Sequence, residues 1–522
     1  MTNNKTLMTD FYELTLAQTF FNEGKQDEQF YFNIFFRNNP FKGGYTMSGG
    51  LEETIEYIKN FKFGDEEIEY LRSLGKFNED FLNYLKNLKF KGDIYAVPDG
   101  TAVFPNEPVL TVKADAVTAL LLETALLANF NNGSLVTTAA KRITNEAGVP
   151  VMEFGARRAR GIDSAVLSSK NAIVGGCCGT SNTLAGMEYD TEEMGTIHHG
   201  YVMYFAPSVP FDYSLFEKNA GKSSPPIRYT TPDNQISTGE YEAFLKYAKS
   251  NPDNCLFLVD TYDTLNSGIP NAIKVADDYL KPNGYKFKGI RIDSGDLAYL
   301  SKKARKMLDD AGYPDAKICL SNGLDEYTIR DLKEQGAVFD TLGVGDNIAA
   351  PKERVGAVYK LAAVEKDNRI IPTLKISNDT IKTTNPGPNK VYRFYDKYTG
   401  YALGDVVALQ GEEIPDDFYT LTHPVETWKK TDIGNYIKRE MLVPIFKNGE
   451  LVYQMPSLGE RQKYCEEEHK SLYPEVTRII NPHEYYVDLS DNLRELKDVL
   501  IDQKRQITEN SKQFFKKRNE TK

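Results

Sequence analysis

Two adjacent histidines, His198 and His199, lie in the short polar stretch 195–200 (GTIHHG) and account for two of the five histidines in the chain. An imidazole titrates near neutral pH, so it can exchange a proton or attack a phosphorus atom as a neutral nucleophile. If the stretch is extended, the two rings point to opposite faces and only one of them can face a site. Taken alone, the pair is better explained as a strand end with one packed and one exposed histidine.

Carboxylates occur at two further places that could take part in chemistry. In RIDSGD (291–296), Arg291 and Asp293 are two residues apart and share one face of a strand. They form either a plain ion pair, or a site in which the arginine meets an anion and the aspartate meets sugar hydroxyls or a metal ion. Asp260 and Asp263 flank a Thr-Tyr pair. Paired carboxylates suit Mg²⁺ or a positive sugar carbon in a transition state, but they also cap helices, here one starting at Leu265.

Arginines and glycine-rich turns provide groups that bind anions. A guanidinium binds two oxygens at once, and glycine lets backbone N–H groups approach a phosphate closely. Arg157, Arg158 and Arg160 follow one apolar run, and GVGD (343–346) could hold a terminal phosphate. A plain turn explains GVGD as well.

Short apolar runs that alternate with helical segments predict the elements that position these residues. Eight runs are candidate strands: 149–154, 171–175, 193–198, 255–260, 287–292, 317–321, 338–343 and 356–362. Helices fit between several of them, at 265–280, 297–311 and 325–335. The pattern predicts an irregular α/β (TIM-like) barrel. In such a barrel the carboxyl ends of the strands share one rim, where the site lies.

The polar residues cluster at those predicted strand ends. They comprise Arg157, the stretch Gly179, Thr180, Ser181 and Asn182, then His199, Asp260, Asp263, Arg291, Asp293, Ser321, Asn322, Gly323, Gly345 and Asp346. Seven strands therefore contribute to one predicted mouth.

The flanks predict a second, α+β domain built from N- and C-terminal segments. Helical spacing at 9–22 and 51–88, strand-like alternation at 92–113 and an apolar helix at 115–130 place an N-terminal α+β domain at 1–145. The barrel occupies 146–362, and 363–522 completes the α+β domain. An inserted loop at 204–239, with five prolines, is a surface excursion or a lid over the mouth.

Composition excludes several classes of function. The net charge of −11 argues against a nucleic-acid-binding surface. Five cysteines without CxxC spacing argue against disulfide scaffolding and a structural zinc site, so no metal ligands are assigned. No signal peptide is recognised, and the most apolar run, 116–130, is too short to cross a bilayer. We therefore expect a cytoplasmic protein without a membrane partner.

The motifs jointly resemble the nicotinate phosphoribosyltransferase family. The similar segments run in order along nearly the whole chain: TDFYELT (9–15), EFGARRARGIDS (153–164), GGCCGTSNTLAG (175–186), GTIHHGYVM (195–203), LVDTYDTLNSGIPNAI (258–273), IRIDSGDLAYLS (290–301), LSNGLDEYTI (320–329), GVGDNIA (343–349) and KTTNPG (382–387).

The resemblance implies a reaction and roles for individual residues. The family joins nicotinate to phosphoribosyl pyrophosphate, giving nicotinate mononucleotide and pyrophosphate, and couples this to ATP hydrolysis through a phosphohistidine, here His199. Tyr12 would stack on nicotinate, in its own or a neighbouring subunit's site, with Phe154 as the apolar partner. Arg291 and Thr196 would meet the nicotinate carboxylate, and Ser181 is included as substrate-binding. Around the phosphoribosyl group and Mg²⁺ would lie Arg157, Asp260, Asp293, Asn322, Gly345 and Asp346.

The resemblance further implies NAD salvage, the ligands ATP and Mg²⁺, and a homodimer if sites are shared. The chain departs from the family pattern at Gly200, where serine is usual, at Gly323, where aspartate is usual, and at Asp346, where threonine is usual. The loop 204–239 is additional. These changes bear on coupling efficiency and phosphate affinity.

Other functions compete with nicotinate phosphoribosyltransferase activity as explanations of the sequence. The same fold could use nicotinamide, which lacks the carboxylate that Arg291 would meet, whereas quinolinate would need cations that the sequence does not identify. A non-catalytic nucleotide-binding paralogue would explain the three departures. A metal-dependent hydrolase has too few rim histidines for a typical zinc site.

Overall fold

A computed structural model of the chain describes residues 4–206, 239–377 and 383–520. These residues form two compact units. The first comprises Met1–Lys141, Lys170–Gly176 and Pro351–Lys522, and the second comprises Arg142–Ser169 and Cys177–Ala350. Both ends of the chain therefore build the first unit.

The first unit contains a seven-stranded antiparallel sheet. One of its interior strands, Gln29–Phe36 (QFYFNIFF), is rich in aromatic residues that favour a strand, and it pairs with a neighbour on each side. In spatial order the strands are Arg369–Pro372, Ala357–Lys366, Gln29–Phe36, Pro108–Asp115, Asp93–Ala96, Val443–Lys447 and Glu450–Leu451. The ring of Phe32 stacks on that of Tyr359 at 4.3 Å, which packs Gln29–Phe36 against Ala357–Lys366.

Smaller sheets and helices complete this unit. A four-stranded sheet contains Tyr436–Glu440, Asn389–Asp396, Ala402–Leu409 and Val487–Leu489, and two strand pairs join Phe418–Thr422 to Lys430–Gly434 and Thr46–Met47 to Ala102–Val103. The helices are Phe11–Asn22, Leu51–Lys59, Asp65–Ser73, Glu79–Asn87, Ala116–Leu121, Leu458–Lys470, Pro474–Thr477 and Asp491–Glu520. Two more helices, Glu123–Ala147 and Ile162–Val174, have residues in both units.

The second unit is organised on a six-stranded parallel sheet. In spatial order its strands are Gly179–Thr180, Val151–Glu153, Thr341–Val344, Lys317–Ser321, Gly289–Ile292 and Leu256–Leu258. Its α-helices are Thr183–Tyr189, His199–Tyr204, Glu240–Ser250, Ile269–Val275, Leu297–Asp310, Glu326–Glu334 and Asp346–Ala349. Aspartates fix where two of these helices begin: the Asp296 carboxylate accepts from the Tyr299 N–H at 2.9 Å, and that of Asp325 from the Thr328 N–H at 2.7 Å.

The predicted α/β class and the α+β domain built from both chain ends are confirmed. Closure of the parallel strands into a barrel stays a prediction. Most of the predicted loop 204–239 lies outside the described residues, as does Lys382. In the part of the chain that the structure describes, no helix combines the length and the apolar character needed to cross a bilayer.

Three predicted barrel strands are wrong. Residues 171–175 belong to the helix Ile162–Val174 and its end, because a short apolar run fits a buried helix as well as a strand. The stretch 193–198 makes only an isolated bridge, between Glu193 and Thr180. The run predicted at 356–362 lies in Ala357–Lys366, which pairs antiparallel with Gln29–Phe36 in the first unit.

Candidate active site

The predicted site residues of the second unit lie at the carboxyl ends of its parallel strands. Phe154 follows Val151–Glu153, Ser181 follows Gly179–Thr180, and Asp293 follows Gly289–Ile292. Since these strands are parallel, their carboxyl ends meet at one edge of the sheet. The edge therefore brings together groups that are far apart in the sequence.

Arg291 is the centre of the densest polar cluster at this edge. Its Nε donates to the Ser321 hydroxyl at 2.8 Å, one terminal nitrogen donates to Thr196 Oγ1 at 3.1 Å, and the other to Asp293 Oδ1 at 3.1 Å. Ser321 in turn donates to the same oxygen of Asp293. A guanidinium has five N–H donors, so this fixed arrangement leaves two for a ligand.

Phe154 forms the apolar wall beside that arginine. The guanidinium carbon of Arg291 lies 5.2 Å from the centre of the Phe154 ring, and the ring is buried. A Cβ atom built on Gly343 would come within 2.5 Å of the ring, so the glycine makes room for it. A flat ring beside a charged guanidinium suits a planar, anionic ligand.

The Asp260 carboxylate is bonded to the segment that carries Asp293. Asp260 Oδ2 accepts from the backbone N–H of Asp293 at 2.9 Å and from the Ser294 hydroxyl at 2.6 Å. Its other oxygen, Oδ1, is buried and has no hydrogen-bond partner among the described residues. A buried carboxylate oxygen without a partner is costly, so it is suited to a hydroxyl group or a cation of a bound ligand.

His199 is the first residue of the helix His199–Tyr204, and His198 is its N-cap. The Nδ1 atom of His199 lies 3.1 Å from Thr261 Oγ1, which links the histidine segment to the turn after Leu256–Leu258. The His198 ring is exposed and lies against Gly200, where a Cβ atom would come within 2.9 Å of it. Of the two histidines, His199 is therefore the one held by the cluster of site residues.

Other predicted residues lie on the same edge but make fewer contacts with the cluster. Arg157 is exposed in the short 3₁₀ turn Ala156–Arg158. Asn322 adopts a left-handed backbone with φ of 98°, a conformation that a non-glycine residue seldom takes. Ser181 and Asp346 are exposed, and Gly345 lies between Val344 and Asp346.

The turns that carry Gly323 and Asp346 are tied together by Asn347. Its Nδ2 donates to the carbonyl oxygens of Gly323 at 3.1 Å and Leu324 at 3.0 Å. Two of the positions that depart from the family pattern therefore lie on joined turns.

Asp263 takes the capping role that the sequence left open. Its carboxylate accepts from the backbone N–H groups of Leu265 and Asn266 at 3.1 and 2.9 Å, and from the side chain of Asn266. The hydrogen bonds from Asn266 lower the pKa of this carboxyl. Asp260, not Asp263, is the carboxylate that belongs to the cluster.

A buried thiol, Cys319, lies near the cluster. Burial raises its pKa to about 11, against smaller opposing effects of a hydrogen bond with Thr341 and of the Arg291 charge. The thiol is therefore protonated at neutral pH, and the thiolate is the reactive form.

No role was predicted for Thr261 or Glu153, and Ser321 was predicted only to lie at the mouth. Ser321 and Thr261 anchor Arg291 and His199, and Glu153 is fully buried. Glu153 ends the otherwise apolar strand VME, and a polar residue in that position is the signal that could have drawn attention to it.

Tyr12 is not in the second unit. It lies on the helix Phe11–Asn22 of the first unit, with its side chain 50% exposed. Burial, followed by contact with Glu13, raises its pKa. The phenol is therefore neutral at physiological pH, and its exposed ring is available for stacking on a flat ligand.

The first unit also contains a cavity of about 870 Å³. Thr383, Thr384 and Asn385 line it, and they belong to the family-like KTTNPG stretch. Lys42, Lys360 and Lys497 also line the cavity, together with the carboxylates of Glu484 and Asp488.

Comparison with known proteins identifies the family. The NAPRTase N-terminal domain of nicotinate phosphoribosyltransferase matches residues 7–131, and its C-terminal domain matches 388–497. Nicotinate phosphoribosyltransferase of Bacillus subtilis (strain 168) is 41% identical to this chain over 490 residues, or 93% of each protein. The enzyme of the same name from Caenorhabditis elegans is 32% identical over 520 residues, or 93% of this chain and 92% of the relative.

Comparison with solved structures agrees with the sequence comparison. The crystal structure of human nicotinic acid phosphoribosyltransferase has a TM-score of 0.78 and 27% identity, covering 94% of this chain and 99% of the human one. A nicotinate-nucleotide pyrophosphorylase from Pyrococcus furiosus, at 21% identity and a TM-score of 0.64, shares the fold. From motifs, sequence identity and architecture together, this chain belongs to the nicotinate phosphoribosyltransferase family.

Proposed function

We propose that the chain transfers the phosphoribosyl group of phosphoribosyl pyrophosphate to nicotinate, and that ATP hydrolysis drives the reaction through phosphorylation of His199. The product, nicotinate mononucleotide, is a precursor for NAD. The observation that carries the proposal is the Arg291 guanidinium, held over the Phe154 ring by Thr196, Ser321 and Asp293 with two donors to spare. This arrangement matches a planar ring that carries a carboxylate.

The carboxylates are suited to the transfer step. The bond between ribose C1 and the pyrophosphate oxygen breaks, its electron pair stays on pyrophosphate, and the ring nitrogen of nicotinate forms the new bond to C1. C1 becomes positive as the leaving group departs, and fixed negative charge stabilises such a carbon. Asp260 and Asp293, joined through the backbone N–H of Asp293, are the groups that would supply it.

Mg²⁺ fits the same place. It binds few protein oxygens and keeps substrate phosphates and waters as its other ligands. The buried Oδ1 of Asp260 offers one carboxylate oxygen, and the described residues contain no group of three or more acidic, histidine or cysteine side chains that would hold a metal alone. When bound, the ion would neutralise the pyrophosphate leaving group.

The contact between His199 and Thr261 supports the proposed role of His199 as phosphate acceptor. If Nδ1–H donates to Thr261 Oγ1, the lone pair on Nε2 is left available for attack. A bond from Nε2 to the γ-phosphorus of ATP would then form as ADP leaves, and water would later cleave the phosphohistidine. The phosphoryl group adds negative charge and acceptor oxygens beside the site, which can change its affinity for substrates.

We further propose that the protein is a cytoplasmic homodimer in which Tyr12 serves the neighbouring subunit's site. Its exposed ring on the first unit supports a role outside the cluster. All five cysteines, each within the described residues, are thiols, which agrees with a reducing compartment.

The test is pyrophosphate release by the purified protein with nicotinate or nicotinamide, phosphoribosyl pyrophosphate and Mg²⁺, with and without ATP. We expect turnover of nicotinate that ATP stimulates, and loss of that stimulation in His199→Ala. His198→Ala is the matched control and should keep it, because the His198 ring is exposed and is not held by the cluster. No release with either base from a folded protein would contradict the proposal.

A further inference from the structure

Glu153 is a fully buried glutamate at the end of the strand Val151–Glu153. Over residues 4–206, 239–377 and 383–520, no lysine, arginine or histidine forms an ion pair with it. Hydroxyl and amide donors surround the carboxylate instead. Oε2 accepts from Thr180 Oγ1 at 2.6 Å and from Ser169 Oγ at 2.9 Å, and Oε1 accepts from the backbone N–H of Gly155.

These donors belong to a closed ring of hydrogen bonds among four residues. While Thr180 donates to Glu153, its hydroxyl oxygen accepts from the backbone N–H of Asn182 at 3.0 Å. The Ser169 hydroxyl oxygen accepts from Asn182 Nδ2 at 3.4 Å. The ring therefore runs from Glu153 through Thr180, Asn182 and Ser169 back to Glu153.

The ring fixes the two segments that carry Phe154 and Ser181. Phe154 lies between Glu153 and Gly155, which are bonded to each other through the carboxylate. Ser181 lies between Thr180 and Asn182, and its own N–H donates to the Glu153 carbonyl oxygen at 2.9 Å. A Cβ on Gly155 would come within 2.5 Å of the Gly345 carbonyl oxygen, so the third rim segment packs directly on the first.

The hydrogen bonds give the ring one direction. The Thr180 and Ser169 hydroxyls both point their hydrogens at Oε2 of Glu153 and turn their oxygens to Asn182. An oxygen at that position accepts both bonds, whereas a donor group placed there would oppose both hydroxyls. Because hydroxyl and backbone donors satisfy the buried carboxyl group, orientation of the rim, and not ion pairing, is its use.

We infer that Glu153 is a positioning residue, which holds the Phe154 ring and the Ser181 turn in the geometry that binds the pyridine ring of the substrate. This inference rests on the proposed function. Glu153 touches no reacting atom. Its loss should weaken nicotinate binding more than it slows the chemical step, because Asp260, Asp293 and Arg291 keep their own bonds.

Three variants test the contribution of the carboxylate and that of its hydrogen-bond partner Thr180 separately. Thr180→Val keeps the shape and removes the hydroxyl, and Thr180→Ser restores the hydroxyl. Glu153→Gln keeps the size but puts an amide NH2 group in place of one oxygen, so it loses either the bond from the Gly155 N–H or the bonds from the two hydroxyls. Ser169 has the carbonyl of Ala165 at 3.0 Å as a second acceptor, so it can turn more readily than Thr180. Glu240→Gln is the control, since Glu240 is a fully buried glutamate of the same unit that accepts from Ser267.

The readouts are KM and kcat for nicotinate in the full-length protein and hydrogen exchange of peptides that cover 151–160 and 179–186. We expect Glu153→Gln and Thr180→Val to raise KM about tenfold, with kcat changed by less than about threefold, and to speed exchange in those two peptides. Thr180→Ser should behave as wild type, and Glu240→Gln should change neither KM nor those peptides.

Unchanged KM and exchange in Glu153→Gln and Thr180→Val, or faster exchange spread over the whole chain, would overturn the inference. Failure of the proposed function would look different, since the wild-type protein itself would not turn over nicotinate. Hydrogen exchange would still show in that case whether Glu153 holds the two segments.

Discussion

At the scale of single residues, the orientation of Arg291 is fixed by its neighbours, as its proposed role in nicotinate binding requires. Its side chain is only 12% exposed, and its guanidinium is bonded to Ser321, Thr196 and Asp293. Little conformational freedom remains to be lost when a carboxylate binds, and such preorganisation increases affinity.

Replacement of Arg291 by lysine should therefore harm the use of nicotinate selectively. An ammonium group cannot keep the three fixed bonds and also present a two-pronged donor to a carboxylate. We expect KM for nicotinate to rise by about 10- to 100-fold, as for the loss of a hydrogen bond to a charged group, with a smaller effect on any residual use of nicotinamide. Steady-state pyrophosphate release with each base measures this.

Arg305→Lys is the matched control for that substitution. Arg305 lies on the helix Leu297–Asp310 and bonds to Asp309 and to the carbonyl oxygens of Ala316 and Tyr313, all outside the site. It should leave both KM values unchanged. Equal losses with both bases in Arg291→Lys would show that the arginine only supports the fold.

The sequence predicted much of this cluster, and the limits of the prediction have a physical cause. The strand period alone placed Arg291 and Asp293 on one face, and they form an ion pair at 3.1 Å. It could not reveal that Ser321 and Thr196 complete the arginine's contacts, because these bonds join residues 30 and 95 positions away. Asp263 was ambiguous for a similar reason: a capping carboxylate and a site carboxylate have the same local sequence.

At the scale of elements, period and turn residues predicted the helices better than the short strands. The predicted helix 297–311 is observed as Leu297–Asp310, with Asp296 as its cap. The parallel strands have only two to five residues, which is too short for periodicity to separate them from buried helix. The strand Ala357–Lys366 shows that period identifies a strand but not the sheet to which it belongs.

The helix Phe11–Asn22 carries an unusual acid beside Tyr12. Burial raises the pKa of Glu13 from 4.5 to about 7, and the nearby acids Glu123 and Asp10 act in the same direction, against a hydrogen bond from Tyr12. Lys360 is a further charged neighbour. The start of this helix is also tied to Thr124, which donates to Asp10 at 3.0 Å.

This acid predicts a pH dependence of stability. Because the folded-state pKa is raised, the fold favours the protonated carboxyl. Its contribution to stability is complete below about pH 4.5 and is lost as the pH rises towards 7. Glu13→Gln, which stays neutral, should raise Tm relative to wild type by an amount that grows across this range, to on the order of 1–2 °C at pH 8.

Thermal melts of both proteins from pH 4.5 to 8 measure the difference. Glu23→Gln, at an exposed position just after the same helix, controls for the loss of one surface charge. A Tm difference that does not depend on pH would contradict the buried acid as its cause.

At the scale of the whole molecule, the candidate site residues are distributed over two compact units. The second unit holds the rim cluster, whereas Tyr12 and the 383–385 stretch belong to the first. The sequence anticipated an α+β domain made from both chain ends. It could not show which unit takes the strand Ala357–Lys366, because that depends on a partner more than three hundred residues away.

A shared site makes complementation possible between defective subunits. Tyr12→Ala and Asp293→Asn should each be nearly inactive alone. If Tyr12 serves the neighbouring subunit, a heterodimer of the two has one intact site and should show about half of the wild-type activity. Co-expression with two different affinity tags, tandem purification and size-exclusion chromatography provide the sample and its oligomeric state.

Recovery of activity in that heterodimer would support a site built by two chains. Activity no higher than in either variant alone, from a confirmed heterodimer, would place Tyr12 in its own subunit's site. A monomeric wild-type protein that is active would contradict the shared site directly.

Because Gln29–Phe36 pairs with strands on both sides, the sheet around it can be completed only late in translation. Its partner Pro108–Asp115 follows soon, but the Tyr31 hydroxyl meets Glu365 334 positions further along the chain. At about 5–20 residues per second, translation leaves one edge of that strand unpaired for roughly 20 to 70 seconds. An open, aromatic strand edge can pair with another nascent chain. Successful synthesis therefore depends on shielding that edge until residues 357–366 emerge.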